Sequence, residues 1–270
     1  MIGSTHTVPE SVGAWLAALE TRHLADLTFQ EVSRSLRALS SAYVERRSTL
    51  AKGGALNGAG KRAAFALFYG PLHLLLVNRI VQALGRPFTD VETILDLGCG
   101  TGAAGAGWAL ACERLPRVTG VDRHPWAADE ARRTLAELGL RGSVRMDDLT
   151  RVPIASARPN GQAGAAGRPS QRRHGVLLAY AANEIEDVQH RDALRDRLLA
   201  HAAAGGQIIV VEPLAGFVAP WWAAWQHAFE SAGGRADEWR FDVSLPSIVD
   251  KLARSSGLNA RELKARTLSL

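Results

Sequence analysis

No stretch limits the fold of this chain more than Thr93 to Gly107, TILDLGCGTGAAGAG. Ile94, Leu95 and Leu97 make an apolar run interrupted only by Asp96, and three glycines at alternate positions, Gly98, Gly100 and Gly102, close it. Small residues follow where a helix would start. The pattern predicts a strand, a tight turn and a helix. Glycine at the turn lets the backbone approach a ligand closely, and the unbonded N–H groups of a helix start can receive an anionic or acceptor group. A nucleotide-type binding site is therefore expected here.

Two ligand classes use such a turn, because Gly98-Cys99-Gly100-Thr101-Gly102-Ala103 also fits the dinucleotide fingerprint with alanine in its last place. Asp96 separates them. A carboxylate two residues ahead of the first glycine would raise the energy of a pyrophosphate, whereas it suits the ammonium and sulfonium charges of S-adenosylmethionine. An acid followed by glycines at alternate positions resembles the first motif of the class I methyltransferases.

From Val91 onward short apolar segments alternate with helical ones, which predicts a mostly parallel sheet with helices on both faces, an α/β doubly wound Rossmann-like fold. Strands are expected at Ile94–Leu97, Val118–Val121, Val144–Met146, Gly175–Ala181 and Gln207–Val211. The methyltransferase resemblance implies a closing strand pair, near Trp239–Val243 and Leu263–Leu268, with one antiparallel edge strand. Ahead of this domain, residues 1–90 have helical periodicity and are expected to form an N-terminal helical cap. In it Thr28 and Glu31 suggest a capping box, Lys52 to Gly60 a glycine-rich joint, and Gly70-Pro71 a break in the third helix.

In open sheets the ligand lies beyond the carboxyl ends of the strands. The expected ends deliver Asp96, Asp122, Asp147-Asp148, Asn183-Glu184 and Glu212. Asp122, 20 residues after Gly102, can accept from both ribose hydroxyls, which suits a nicotinamide cofactor equally well. Asp147 or Asp148 can accept from an adenine amino group, and acids at the first three ends match the methyltransferase pattern. The expected cofactor set is Asp96, Gly98, Cys99, Gly100, Gly102, Asp122, Arg123, Asp147, Asp148 and Asn183. Asn183 and Glu184, where that superfamily faces the methyl acceptor, and Tyr69 on the cap are the candidate catalytic residues, with Glu212 a further candidate base. Asn183 and Glu184 could equally cap the next helix. His73 could reach the cofactor beside Tyr69, although packing in a helix seam is the preferred reading for both. Trp221, Trp222 and Trp225 are expected mainly in the core.

The formal net charge is +5, with 32 Lys/Arg against 27 Asp/Glu. Residues 151–173 hold five arginines and no acid, so the remainder is neutral. That weakens the case for a basic binding face, and leaves a flexible insert at about 155–173 that is either a solvated linker or an arm touching RNA phosphates. Cys99 and Cys112 are the only cysteines, too few for a disulfide framework or a metal site. No secretory signal is visible, and the most apolar run, Ala63 to Val77, is interrupted by Gly70-Pro71 and too short to span a membrane. A cytoplasmic location without membrane attachment is expected.

Asn183-Glu184 after strand four, GGQIIVVEPL at strand five and the helical cap resemble, over about residues 35–215, the methyltransferase-like family associated with the small ribosomal subunit. The resemblance implies an S-adenosylmethionine-dependent methyltransferase whose acceptor is RNA or a ribosomal component. Mitochondrial members carry cysteines for an iron–sulfur cluster, and this chain lacks that set. Three alternatives stay open: a non-catalytic cofactor-binding ribosome assembly factor, a small-molecule methyltransferase and a dinucleotide oxidoreductase.

Overall fold

The computed structural model describes residues 10–45, 56–154, 173–214, 219–258 and 261–270. The insert expected at 155–173 lies outside them except for Arg173, which pairs with Asp90. Much of the glycine-rich joint also lies outside.

Two helices open the described chain, α1 (Glu10–His23) and α2 (Phe29–Glu45). Thr28 and Glu31 form the expected capping box: Glu31 Oε2 accepts from the Thr28 N–H at 2.8 Å, and Thr28 Oγ1 accepts from the Glu31 N–H at 3.3 Å. Next comes α3 (Ala59–Ala64), a π-helical turn at Phe65–Tyr69, and α4 (Gly70–Leu84). The break expected at Gly70-Pro71 is instead this wider turn, in which the Gly70 N–H donates to the Phe65 carbonyl. The joined helix runs Ala59–Leu84, 26 residues whose most apolar 18-residue window has a mean hydropathy of 1.5, long and apolar enough to cross a membrane by length and composition. The expectation that no such segment exists rested on the break and is corrected. With 61% of its most apolar window buried inside the protein, the helix has the burial of a core helix.

The remainder runs β1 (Thr93–Leu97), α5 (Ala103–Ala111), β2 (Arg117–Asp122), α6 (Pro125–Glu137), β3 (Gly142–Met146), β4 (His174–Ala179), α7 (Val188–Ala203), β5 (Gln207–Glu212), α8 (Trp222–Ser231), β6 (Arg235–Asp242), α9 (Ser247–Ser256) and β7 (Glu262–Ser269). The sheet order is β3-β2-β1-β4-β5-β7-β6. β1 to β5 pair in parallel, and β7 pairs antiparallel with both β5 and β6. The antiparallel strand is thus one place in from the edge, not the edge strand expected, because the last strand inserts between β5 and β6. This order reverses direction between β1 and β4, which opens a crevice at their carboxyl ends.

Alternate side chains of β4 and β5 serve two cores. Leu177, Ile209 and Val211 join a cluster shared with α1, α2, α4 and α5, while Val176, Leu178, Ile208 and Val210 pack with Trp221, Trp222, Trp225 and Phe229. All three tail tryptophans are buried, as the core reading expected. α4 lies so close on α5 that a Cβ at Gly107 would sit 2.4 Å from the Leu74 carbonyl oxygen. The cap and the sheet therefore share one apolar core across residue 90. At the far end of α1, Arg22 reaches Glu130 and Glu137 on α6, each at 2.7 Å.

Candidate active site

Gly98, Gly100 and Gly102 have φ of 71°, 52° and 75°, a region costly for residues with a Cβ. A Cβ on Gly98 would also lie 2.5 Å from that of Ala181. The turn is held from the next strand. Asp122 Oδ2 accepts from the Gly100 N–H at 2.8 Å, and its Oδ1 accepts from the His124 N–H at 2.8 Å. Burial raises the Asp122 carboxyl pKa against these two bonds. Each carboxylate oxygen keeps a further lone pair.

Asp96 is buried under the first turn of α5. Its Oδ2 accepts from the Gly105 N–H at 3.0 Å, an approach that needs glycine, since a Cβ there would lie 2.6 Å from that oxygen. Its Oδ1 is buried and has no hydrogen-bond partner among the described residues. Burial, chiefly, pushes the carboxyl up to about 7, and the Asp122 charge adds to the effect. Cys99 turns its thiol toward β2, where a Cβ on Gly120 would lie 2.8 Å from the sulfur. Burial, then the charges of Asp96 and Asp122, keep that thiol protonated.

An open cleft beside the turn is lined by Gly98, Asp122, Arg123, Asp147, Asp148 and Glu184, among others. Asp147 Oδ1 accepts from the Asp148 N–H, and Asp148 Oδ1 accepts from the Thr150 N–H and hydroxyl. Arg123 comes within 3.8 Å of Glu184. Crowding by protein raises the Glu184 carboxyl to about 7, opposed by Arg123 and reinforced by Asp122. The 41% of its side chain that faces solvent screens those charges.

Asn183 goes the other way. In the 3-10 turn Ala182–Glu184, the Asn183 Nδ2 donates to Glu212 Oε2 at 2.5 Å, and its Oδ1 accepts from Trp221 Nε1 at 2.9 Å. Glu212 is fully buried at the end of β5, opposite Arg266 on β7, whose guanidinium lies 4.1 Å above the Trp222 ring. Tyr180, one residue past β4, has φ of 60°, alone among the described non-glycine residues in that region. Its ring stacks on His73 from α4 at 4.4 Å and 20°. Burial pushes the His73 imidazole down to about 4, so the stack is uncharged at neutral pH. Tyr69 packs against Phe65, Phe68 and His73, and its hydroxyl bonds Ser40.

The expected residues thus divide. Gly98, Asp122, Arg123, Asp147, Asp148 and Glu184 meet at one cleft, with Gly100 and Gly102 in its adjoining turn and Asp96 buried in β1 behind it. Asn183, Glu212 and the tryptophans form a buried network beyond β4 and β5. Tyr180 escaped the sequence reading. A tyrosine after an apolar strand is a weak signal, and neither its left-handed backbone nor its partner His73 can be read from spacing.

Residues 94–160 match the methyltransferase domain family. This part of the chain is a methyltransferase domain. Methyltransferases of this family use S-adenosylmethionine. No curated protein matches the chain. Among solved structures it is similar to an O-methyltransferase from neocarzinostatin biosynthesis, crystallised with S-adenosylmethionine and 2-hydroxy-5-methyl naphthoic acid, with 18% identity, TM-score 0.46, and coverage of 95% of this chain and 71% of that one. It is also similar to an N-methyltransferase from Bradyrhizobium japonicum in complex with S-adenosyl-L-homocysteine, with 16% identity, TM-score 0.43, and coverage of 73% and 83%. A methyltransferase from Aquifex aeolicus has 12% identity, TM-score 0.43, and coverage of 74% and 92%. The residues present fit the cofactor: the buried Asp96 Oδ1 offers an acceptor lone pair, and the acids of the cleft, which outnumber its Arg123 and His190, are acceptors suited to hydroxyl, amino and ammonium groups.

Proposed function

We propose that this methyltransferase acts on RNA or a ribosomal component of the small subunit, with its cofactor in the cleft beside the glycine turn. What carries the site assignment is Asp122, which braces Gly100 from β2 and also lines the cleft. Asp122 would hold the ribose hydroxyls, Asp147 or Asp148 the adenine amino group, and Asp96 the ammonium of the methionine end. The cofactor supplies an electrophilic methyl group. The chain aligns the acceptor with it and excludes water. Glu184, with its pKa near neutrality at the cleft, is the residue suited to take the acceptor's proton. The acceptor assignment is supported by the resemblance through Asn183-Glu184 and GGQIIVVEPL and by the five arginines within residues 151–173.

Calorimetric titration with S-adenosylmethionine, S-adenosylhomocysteine and NADH, with Asp122→Ala as control, tests the site. Micromolar binding of the first two and loss in the control is expected. Transfer of labelled methyl to small subunits, to their purified RNA and to an RNA-free metabolite extract tests the acceptor. Label in RNA or ribosomal protein supports the proposal. Label in small molecules alone overturns it, and cofactor binding with co-sedimentation but no label replaces it with an assembly factor.

A further inference from the structure

β6 is one of the two edge strands of the sheet, β3 being the other, and reads Arg-Ala-Asp-Glu-Trp-Arg-Phe-Asp. At its end the Val243 N–H donates to the Arg261 carbonyl at 3.2 Å. Antiparallel pairs alternate between bonded and non-bonded positions. Arg235, Asp237, Trp239 and Phe241 therefore turn their N–H and C=O groups toward β7, and Ala236, Glu238, Arg240 and Asp242 turn theirs outward. An edge of this kind is a template for another strand.

The charges along it select which strand. Two copies related by a twofold axis perpendicular to the sheet pair antiparallel, and residues on the same face lie opposite one another. With the axis at Trp239, Glu238 lies opposite Arg240 of the second copy and Arg240 opposite Glu238 of the second copy. All four are outward-bonded, and both residue types are exposed. With the axis at Glu238, two carboxylates would face each other. The charges thus favour the register centred on Trp239 over its neighbour centred on Glu238. On the other face Trp239 and Phe241 are half-buried and stacked at 5.7 Å and 12°, and the favoured register brings Trp239 against its twin at a non-bonded position, where side chains lie closest. A run of one sign would have repelled a second copy. The observed Glu-Trp-Arg order attracts one.

We propose that the chain forms a twofold dimer in which β6 pairs antiparallel with β6 of a second copy, centred on Trp239, so that the two sheets become one. Sedimentation velocity of the full chain, from about 1 to about 100 µM, reads the dimer directly. The wild type is expected to shift from monomer to dimer over that range. Glu238→Arg and Arg240→Glu should each lose the dimer, because each sets like charges opposite one another twice. Mixing the two variants should restore it, since every facing pair is then of opposite sign, and recovery also shows that both variants fold. A wild type that stays monomeric throughout, a dimer unchanged by Glu238→Arg, or variants that do not recover on mixing would overturn the proposal.

Discussion

The cleft beside β1 to β3 and the network beyond β4 and β5 lie at the same carboxyl edge of one sheet, yet differ in solvation. In the cleft, Asp147, Asp148, Arg123 and Glu184 keep solvent contact, and Asp122 answers to backbone N–H groups. In the network, Glu212 is fully buried, and the Asn183 amide spends its donor and acceptor ends on Glu212 and Trp221. Neighbouring residues, Asn183 and Glu184, point into the two regions. The contrast separates acids that keep solvent contact at the cleft from an acid shut away from solvent behind Asn183.

Asp122→Ala should break the cleft most severely. It removes a charged acceptor from both the glycine turn and the ligand, and cofactor affinity should fall about 100-fold, about 3 kcal/mol, in calorimetry. Asn183→Leu should do the opposite. It strips the Glu212 carboxylate of its amide donor and leaves Trp221 Nε1 without its acceptor, so stability should drop by about 2–4 kcal/mol in denaturant unfolding while cofactor affinity stays near wild type. A large affinity loss from Asn183→Leu, with stability intact, would dissolve the distinction and make Asn183 a cofactor ligand.

Asp96 sharpens the comparison through pH. Its carboxyl stands near 7 in the folded protein, above the ordinary 3.8, so the folded chain binds the extra proton between those values. Stability without ligand should therefore fall as pH rises from about 4 to about 7 and level off above. A ligand ammonium favours the ionised form, so S-adenosylhomocysteine affinity should weaken by up to about tenfold for each pH unit below 7. Glu184 titrates in the same window. The difference between wild type and Asp96→Asn, followed by melting with and without ligand, isolates the Asp96 share. Arg123→Ala should have the smallest effect on folding, below about 1 kcal/mol, because its pairing with Glu184 is solvent-exposed. If Glu184 takes the acceptor's proton, Glu184→Gln should lower kcat and leave cofactor affinity within about threefold.

The alternation of strands and helices after residue 91, the glycine turn and the acids that gather at the cleft were all legible in the chain, because each depends on local periodicity or on a residue's place just past a strand. Thr28 and Glu31 were legible for the same reason: a capping box closes within one helical turn. The continuity of Ala59–Leu84 was not, since a π-helical turn accommodates Gly70-Pro71 only when neighbouring helices hold it. Nor was the place of β7, which long-range pairing with β5 decides. What the sequence by itself determined is the chemistry offered along the sheet edge. Which acids remain open to a ligand and which are sealed, as Glu212 is by Asn183, only the tertiary structure decided, because burial and hydrogen-bond partners come from residues distant in the chain.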